Sequence, residues 1–280
     1  MTNQRSILVS GCSSGIGLAL IEQLAHQNAR VYAGLRNLGD ATRLPANVRP
    51  LQLDVTRTEQ IYSALQTIEA ECGHLDVLIN NAGINAVGPW ETVPPQIVRH
   101  VFDVNFFGAV ELTRAFLPMM RRAQRGQIVM VSSLSGLVGL PADGVYAASK
   151  FALEAFAESL SYEVRRWNIK VSIFSPGGYA TNLMRKAWRP ANADGPYEGL
   201  IQGALTRTEG GSGDSRQAAA DIVTALDAPQ GPLRYPLDDT ARMVFDVLKL
   251  EPQSDRETLI RNASGLAWWI DGQETDPHGV

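Results

Sequence analysis

Tyr146 and Lys150 are the two side chains in this sequence best suited to move a proton together. They occur as Tyr-Ala-Ala-Ser-Lys within a segment of helical spacing, 145–167. Residues four apart share one face of a helix, so we expect the two side chains to lie close together. A free tyrosine has a pKa near ~10, which a neighbouring ammonium lowers. Tyr146 could then act as a general acid towards a carbonyl or as a general base towards an alcohol.

A nearby serine favours this chemistry over a simple packing pair. Taken alone, the same spacing would suit an aromatic ring packed under a lysine stem. Ser133, however, ends the predicted strand 126–133, thirteen residues before the tyrosine, where its hydroxyl could hold a substrate oxygen. Ser132 and Ser135 are the alternatives for this role. Ser133 stands at the end of the predicted strand, and strand alternation turns Ser132 to the opposite face.

The segment SGCSSGIG, residues 10–17, fits two kinds of functional loop. Its G-x-S-x-G pattern around Ser13 resembles the nucleophile elbow of a serine hydrolase. Alternatively, Gly11, Gly15 and Gly17 form a turn that lets the backbone approach a pyrophosphate at the start of a helix.

The position of this segment favours the phosphate loop. It directly follows the first predicted strand, 7–10, whereas a hydrolase elbow normally follows several strands. Its catalytic base is also missing, because His26 lies towards the far end of the next helix and His278 lies in the C-terminal tail. The phosphate loop needs only small residues and a helix N-terminus.

Composition narrows the possible functions further. The 280 residues are 45% hydrophobic and 19% charged with a net charge of −4, which argues against nucleic acid as a partner. Cys12 and Cys72 provide no disulfide framework, and the scattered histidines provide no metal-binding spacing. The N-terminus has no secretory leader pattern, and no apolar run reaches the length of a membrane span. We therefore expect a cytoplasmic protein with no metal.

Short apolar runs alternate with longer amphipathic segments, which predicts an α/β fold. The predicted strands are 7–10, 30–35, 48–55, 75–80, 126–133, 170–176 and 233–237, and the predicted helices are 17–27, 59–72, 95–122, 145–167 and 215–228. This alternation indicates a doubly wound parallel sheet of the Rossmann-like type, with helices on both faces. We expect residues 1–280 to form a single domain, with a substrate lid at about 183–215 and a short C-terminal extension.

Further motifs accompany the glycine loop and the Tyr-Lys pair. NNAG (80–83) follows the fourth predicted strand, VNFFG (104–108) places Asn105 in a helix, and SPGGYAT (175–181) follows the sixth strand. In this order and spacing, the motifs resemble those of the short-chain dehydrogenase/reductase family. Residues 132–160 are most similar to hydroxysteroid and retinol dehydrogenases of that family.

The resemblance assigns roles to the candidate catalytic residues Asn105, Ser133, Tyr146 and Lys150. It implies that Lys150 also hydrogen-bonds the nicotinamide ribose. Asn105 is expected to hold a backbone distortion and a water that relays protons. It further implies a carbonyl reductase or alcohol dehydrogenase, in which the nicotinamide carries the hydride.

The residues after the second strand predict NADP rather than NAD. Members that bind NAD usually place an acid there to hold the ribose 2′-OH. Here Leu35 occupies that position and Arg36 follows, and a guanidinium can pair with a 2′-phosphate. Ser13 could add a hydroxyl contact. The alternative is that Arg36 is an ordinary surface residue after a strand.

The remaining site predictions follow from the resemblance. The predicted cofactor contacts are Gly11, Ser13, Ser14, Gly15, Ile16, Gly17, Arg36, Asp54, Val55, Asn81, Ala82, Gly83, Tyr146, Lys150, Pro176, Gly177 and Thr181. The predicted substrate contacts are Ser133, Leu137, Leu140, Tyr146, Leu183 and Met184.

The apolar character of these last positions suggests an apolar, mid-sized ketone or secondary alcohol, such as a steroid-, retinoid- or aryl-ketone-like compound. The alternative is that these apolar residues only pack the lid against the body of the protein. With NADP we expect the reducing direction. The family also suggests a homodimer or homotetramer formed through helices at about 103–123 and 150–167. A cofactor-binding sensor or scaffold without turnover is the main alternative, although such proteins tend to lose the catalytic tyrosine or lysine.

Overall fold

The strands of this protein are apolar runs that are buried on both faces. Ile7, Leu8 and Val9 are fully buried in the first of them. The computed structural model describes residues 4–178, 182–190, 195–209, 213–228, 231–248 and 271. Within these ranges one sheet contains the strands β1 (Arg5–Ser10), β2 (Ala29–Leu35), β3 (Arg49–Gln52), β4 (Val77–Asn80), β5 (Gly126–Val131), β6 (Ile169–Ser175) and β7 (Arg234–Pro236).

The strand order is β3-β2-β1-β4-β5-β6-β7, and every adjacent pair is parallel. The chain builds the sheet outwards from β1 to β3 and then reverses from β4 onwards. Val9 of β1 pairs with both Ala33 of β2 and Ile79 of β4, so these three strands end at the same edge. Ligands of open α/β sheets bind at such a reversal point, outside the carboxyl ends of the strands.

Helices cover both faces of the sheet. They are α1 (Gly15–Leu24), α2 (Thr58–Cys72), α3 (Pro95–Phe102), α4 (Gly108–Ala123), α5 (Gly144–Val164), α6 (Asn182–Arg185), α7 (Glu198–Glu209), α8 (Ser215–Asp227) and α9 (Asp239–Val247). Leu20 of α1 and Ile222 of α8 belong to the apolar cluster on one face. Leu112 of α4 and Leu153 of α5 belong to the cluster on the other. The predicted doubly wound fold is thereby confirmed.

One predicted helix is interrupted. A π-helical turn, Asp103–Phe107, separates α3 from α4, where the sequence predicted a continuous helix over 95–122. A π-helical turn keeps the chain helical while adding a residue, so the apolar spacing does not reveal it. Such turns frequently lie at functional sites.

The structure also differs from the prediction towards the C-terminus and in β3. The helices α7 and α9 lie where no regular element was predicted, because α7 buries few side chains and α9 buries only Ala241. The predicted strand 48–55 is regular only over Arg49–Gln52. The single domain stays a prediction, because residues 249–280 lie outside the described residues except for Asp271. Among the helices that are described, none is both long and apolar enough to cross a bilayer.

Candidate active site

Glycine backbone shapes the loop between β1 and α1. Gly11 has a φ of +73° and Gly15 a φ of +59°, in the left-handed region that favours glycine. A Cβ on Gly17 would lie 2.3 Å from the carbonyl oxygen of Gly11 and 2.4 Å from Nδ2 of Asn81. The three glycines therefore allow a tight turn that brings the start of α1 against the ends of β1 and β4.

Two polar side chains beneath the loop hold it in place. The Ser10 hydroxyl accepts hydrogen bonds from the N–H groups of Asn81 and Ala82, both at 3.1 Å. Nδ2 of Asn81 donates to the carbonyls of Ser10 at 2.9 Å and Gly11 at 3.0 Å. Sequence analysis missed Ser10, because a buried serine that ends an apolar strand leaves no periodic signal.

The N-terminus of α1 presents its backbone donors to the cleft above the sheet. Ser14 precedes the helix in an extended conformation and forms no side-chain cap, and the first turn contains no acidic residue. Free N–H groups and the positive end of the helix dipole suit an anion. The predicted phosphate loop therefore has the donors that it needs.

The hydrolase alternative gains no support from this geometry. His26 follows the C-terminal end of α1, so the length of that helix, about 15 Å, separates it from Ser13. His278 lies outside the described residues. Cys12 is also unsuited to nucleophilic attack, because it is fully buried and burial raises the pKa of its thiol.

A cation follows the end of β2. Leu35 is fully buried, whereas Arg36 is exposed and lines the cleft. A second guanidinium lies close by, because Nη1 of Arg43 donates to the carbonyl of Ser13 at 3.5 Å. Positive charge therefore borders the glycine loop.

Tyr146 lines the cleft, and Ser133 is buried next to it without lining the cleft itself. Ser132, which strand alternation was expected to turn away, does line the cleft, so that expectation was wrong. Tyr146 is 6% exposed and Ser133 is 7% exposed, and Ser133 is close enough to act on the pKa of the phenol. The Ser133 hydroxyl accepts the N–H of Ser135 at 3.1 Å, which fixes its position after β5. Burial raises the pKa of Tyr146, the Asp143 carboxylate raises it further, and Ser133 opposes them. Tyr146 is therefore a neutral phenol at neutral pH, the form that donates a proton.

Lys150 lies one turn further along α5. Its Nζ is 5.7 Å from the centroid of the Tyr146 ring and donates to the carbonyl of Val131 at 2.8 Å. Burial lowers the pKa of Lys150 to about 8, and the charge of Glu154 opposes this effect. The pKa of Tyr146 is raised overall and not lowered as expected, because burial of the phenol has the largest effect.

Asn105 lies within the π-helical turn and is almost fully buried. Its Oδ1 accepts the N–H of Ile84 at 2.8 Å, and its Nδ2 donates to the Ile84 carbonyl at 2.9 Å and the Ser149 hydroxyl at 3.0 Å. It therefore joins the loop after β4 to helix α5. The family resemblance, and not the apolar spacing, implied a backbone distortion at this residue, and the π-helical turn lies there.

A hydrogen-bonded chain beside Tyr146 was missed by sequence analysis. The Ser135 hydroxyl donates to Oδ2 of Asp143 at 2.7 Å, and Nδ2 of Asn85 donates to Oδ1 of Asp143 at 3.3 Å. All three residues are buried, and Asn85 lines the cleft. They are far apart in the sequence and match no motif, so only their spatial proximity shows the chain.

Residues 5–192 match the family model described as short chain dehydrogenase. This chain belongs to the short-chain dehydrogenase/reductase family. Among curated proteins, retinol dehydrogenase 8 from Bos taurus is 45% identical over 193 residues, which are 65% of this chain and 61% of that protein. The match thus spans about three fifths of the length of that relative.

Solved structures of the family share the fold. A short-chain dehydrogenase from Streptomyces avermitilis has a TM-score of 0.80 and 31% identity, with 95% of this chain and 98% of that chain covered. One from Burkholderia cenocepacia, solved in complex with NADP, has a TM-score of 0.72 and 26% identity, with 92% and 97% covered.

Most of the predicted cofactor contacts of this short-chain dehydrogenase/reductase line one cleft. These are Gly11, Ser13, Ser14, Gly15, Ile16, Gly17, Arg36, Asp54, Val55, Asn81, Ala82, Gly83, Tyr146, Lys150 and Pro176. Gly177 does not line it, and its N–H donates to Oδ2 of Asp238 at 2.6 Å. Thr181 lies outside the described residues.

The predicted substrate contacts are more dispersed. Leu183 lines the cleft, whereas Leu137 and Leu140 are half-buried and do not. Met184 packs against Val87 and lies next to Asn85, with its Sδ 3.2 Å from Nδ2 of that residue. Met184 belongs to the segment predicted as a lid, and Asn85 lines the cleft. The contact between them therefore connects that segment to the cleft wall.

Proposed function

We propose that this protein is an NADP-dependent oxidoreductase that transfers a hydride between the nicotinamide and a ketone or secondary alcohol. It acts in the reducing direction on an apolar, mid-sized carbonyl compound. The observation that carries the proposal is that the buried Tyr146, with Ser133 beside it, lines the same cleft as Lys150 and the glycine loop.

In this mechanism the chain's own residues polarise the carbonyl and supply its proton. The reduced nicotinamide, when bound, supplies the hydride that reaches the carbonyl carbon. Ser133 donates a hydrogen bond to the carbonyl oxygen, and Tyr146 transfers its phenolic proton to that oxygen, so the product is an alcohol. The ammonium of Lys150 stabilises the phenolate that remains.

The protonation state of Tyr146 supports the reducing direction. Burial and the charge of Asp143 keep the phenol neutral at neutral pH. A neutral phenol is ready to protonate a carbonyl oxygen, whereas alcohol oxidation needs the phenolate first. The same group therefore favours reduction near neutral pH.

Two guanidinium groups and a missing acid support NADP. Arg36 lines the cleft, Arg43 contacts the carbonyl of Ser13, and the buried Leu35 stands where an acid would hold a 2′-hydroxyl. A related structure of 26% identity contains NADP. Guanidinium groups pair with phosphate through several parallel hydrogen bonds.

Exposed aromatic residues support the proposed homodimer or homotetramer. Phe107, which precedes α4, is 53% exposed and Phe151 of α5 is 45% exposed. Large exposed apolar side chains on adjacent helices are typical of a surface that another protein chain covers. Sedimentation of the purified protein would measure the assembly.

The deciding experiment is a titration with NADPH and then NADH, followed by nicotinamide fluorescence. We expect Arg36→Ala to weaken NADPH binding about 10- to 100-fold, the equivalent of losing hydrogen bonds to a charged group. NADH binding should be unchanged. Arg114→Ala is the control, because Arg114 is an exposed helix residue that pairs with Glu111 and does not line the cleft.

Two outcomes would contradict the proposal. Failure to bind either nucleotide would exclude a nicotinamide-dependent enzyme. Tight NADPH binding with no turnover across a broad ketone panel would instead indicate a sensor or scaffold.

A further inference from the structure

The side-chain carbonyl of Asn85 is a buried hydrogen-bond acceptor that no donor reaches within the described residues. Asn85 is 5% exposed, and its Oδ1 has no partner. It follows the NNAG segment after β4 and lines the same cleft as Tyr146. An unpaired buried acceptor costs about 1–3 kcal/mol, and native structures contain few of them. An orphaned acceptor in the wall of a cleft indicates that a ligand supplies the donor.

The neighbours of Asn85 determine which end of its amide is free. Nδ2 lies 3.3 Å from Oδ1 of Asp143 and 3.2 Å from Sδ of Met184. A carboxylate and a thioether are both acceptors, so the NH₂ group must face them. Oδ1 is therefore the end left without a partner.

The acceptor is also held firmly. Asp143 receives the Ser135 hydroxyl at 2.7 Å, which fixes the carboxylate that orients the amide. The backbone carbonyl of Asn85 accepts the N–H of Trp188 at 3.0 Å. The amide is thus anchored through both its side chain and its backbone, so little entropy is lost when a ligand donor binds it.

The carboxylate that anchors the Asn85 amide lies near Tyr146, since its charge raises the pKa of that phenol. Asp143, which bears this carboxylate, precedes Tyr146 by three residues at the start of α5, which is about one helical turn, ~5.4 Å. Met184 of α6 lies on the other side of Asn85. A ligand that contacts Tyr146 and displaces the segment containing Met184 could therefore reach Oδ1.

We propose that Asn85 is a specificity-determining residue whose Oδ1 accepts a hydrogen bond from a hydroxyl or amine group of the substrate, located within a few bonds of the reacting carbonyl. This inference rests on the proposed function and narrows its substrates from apolar ketones in general to hydroxy ketones and amino ketones. A site built to bind such a donor discriminates against analogues that lack it, because its own polar group then stays unpaired.

The test compares pairs of ketones that differ only in the donor. α-Hydroxyacetophenone and α-methoxyacetophenone both carry an oxygen beside the carbonyl, but only the first can donate a hydrogen bond. The meta-hydroxy and meta-methoxy acetophenones form a second pair with a longer separation. We expect wild-type kcat/KM to favour the hydroxy member of at least one pair by about tenfold or more. Absence of a preference in both pairs would overturn the inference.

The variant Asn85→Leu keeps the branched outline and the number of non-hydrogen atoms of the side chain but has no acceptor. It should lose the preference while it still reduces the methoxy ketones. Asn85→Ala adds no bulk and should lose the preference in the same way, should the leucine variant not fold. Asn47→Leu makes the same change at an exposed asparagine and should keep the wild-type preference. A preference that persists in both Asn85 variants would contradict the proposal.

Calorimetric binding of the same ketones separates this inference from the proposed function. If no ketone is reduced, yet the hydroxy compounds bind more tightly to wild type than to Asn85→Leu, the Asn85 site stands and the reductase assignment fails. If ketones are reduced and all members of each pair bind equally, the reductase assignment stands and the Asn85 site is wrong.

Discussion

At the amino-terminal edge of the sheet, the carboxylate of Asp76 accepts hydrogen bonds from the Ser6 N–H at 2.9 Å, the Ser6 hydroxyl at 3.0 Å and Nε2 of His74 at 2.9 Å. Nε of Arg125 lies 3.3 Å away. At the carboxyl-terminal edge, by contrast, the buried ammonium of Lys150 donates to a neutral carbonyl.

The pKa values follow this difference. Burial alone would raise the pKa of Asp76, but the bonds from Ser6 and His74 hold it below its ordinary value. Burial lowers the pKa of Lys150 and raises that of Tyr146. Glu154 opposes the first shift and Ser133 the second, but neither cancels the effect of burial. The amino-terminal edge therefore stabilises the charged form of Asp76, whereas at the carboxyl-terminal edge burial disfavours the charged forms of Lys150 and Tyr146. Burying groups in this way costs stability, as is common at sites of activity.

The largest effect that we expect from a change at the carboxyl-terminal edge is that of Tyr146→Phe. We expect kcat for ketone reduction to fall about 10²- to 10⁴-fold, because the proton donor is lost. NADPH affinity and the thermal midpoint should change little, since the aromatic ring remains in place. Retention of most turnover would show that Tyr146 is not the acid.

The matching change at the opposite edge is Asp76→Asn. It should lower the free energy of unfolding by about 1–3 kcal/mol, because buried donors lose their charged acceptor. Steady-state turnover should be unchanged. Denaturant unfolding measures the loss, and lowered turnover at full folding would show that the two edges are not independent.

This second effect should depend on pH. The pKa of Asp76 is lower than its ordinary value of 3.8, so its stabilising contribution is present above pH 3.8 and is lost as the pH falls through the lower folded-state pKa. The difference between wild type and Asp76→Asn should therefore shrink in acid.

The smallest expected effect is a gain in stability from Lys150→Met. Removing the buried ammonium should raise the free energy of unfolding at pH 7 by about 1 kcal/mol while turnover is lost. The folded-state pKa is about 8 and the ordinary value is 10.5, so the unfolded chain binds more protons between these values.

Wild-type stability should consequently rise with pH in that window, and the advantage of the variant should fade from about pH 8 to 10.5. Unfolding curves at pH 7 and pH 10 measure both quantities. Equal stability of the two proteins at pH 7 would show that Lys150 costs the fold nothing.

The sequence by itself determined the doubly wound sheet, since apolar runs and helical spacing are local properties of the chain. It also located the glycine loop, whose conformation depends on residues with no Cβ, and the Tyr146–Lys150 pair, whose proximity follows from one helix. It did not predict the π-helical turn at Asn105, because one added residue scarcely disturbs the apolar spacing. It likewise missed α7 and α9, which bury few side chains.

Only the tertiary structure decided the electrostatics of the site. The raised pKa of Tyr146 follows from burial, which depends on elements distant in the chain. The contact of Asn85 with Asp143 and Met184 joins the loop after β4, the start of α5 and helix α6. No local sequence pattern predicts these contacts, because they depend on how separate elements pack together. That packing leaves the side-chain carbonyl oxygen of Asn85 without a donor among the residues that the structure describes.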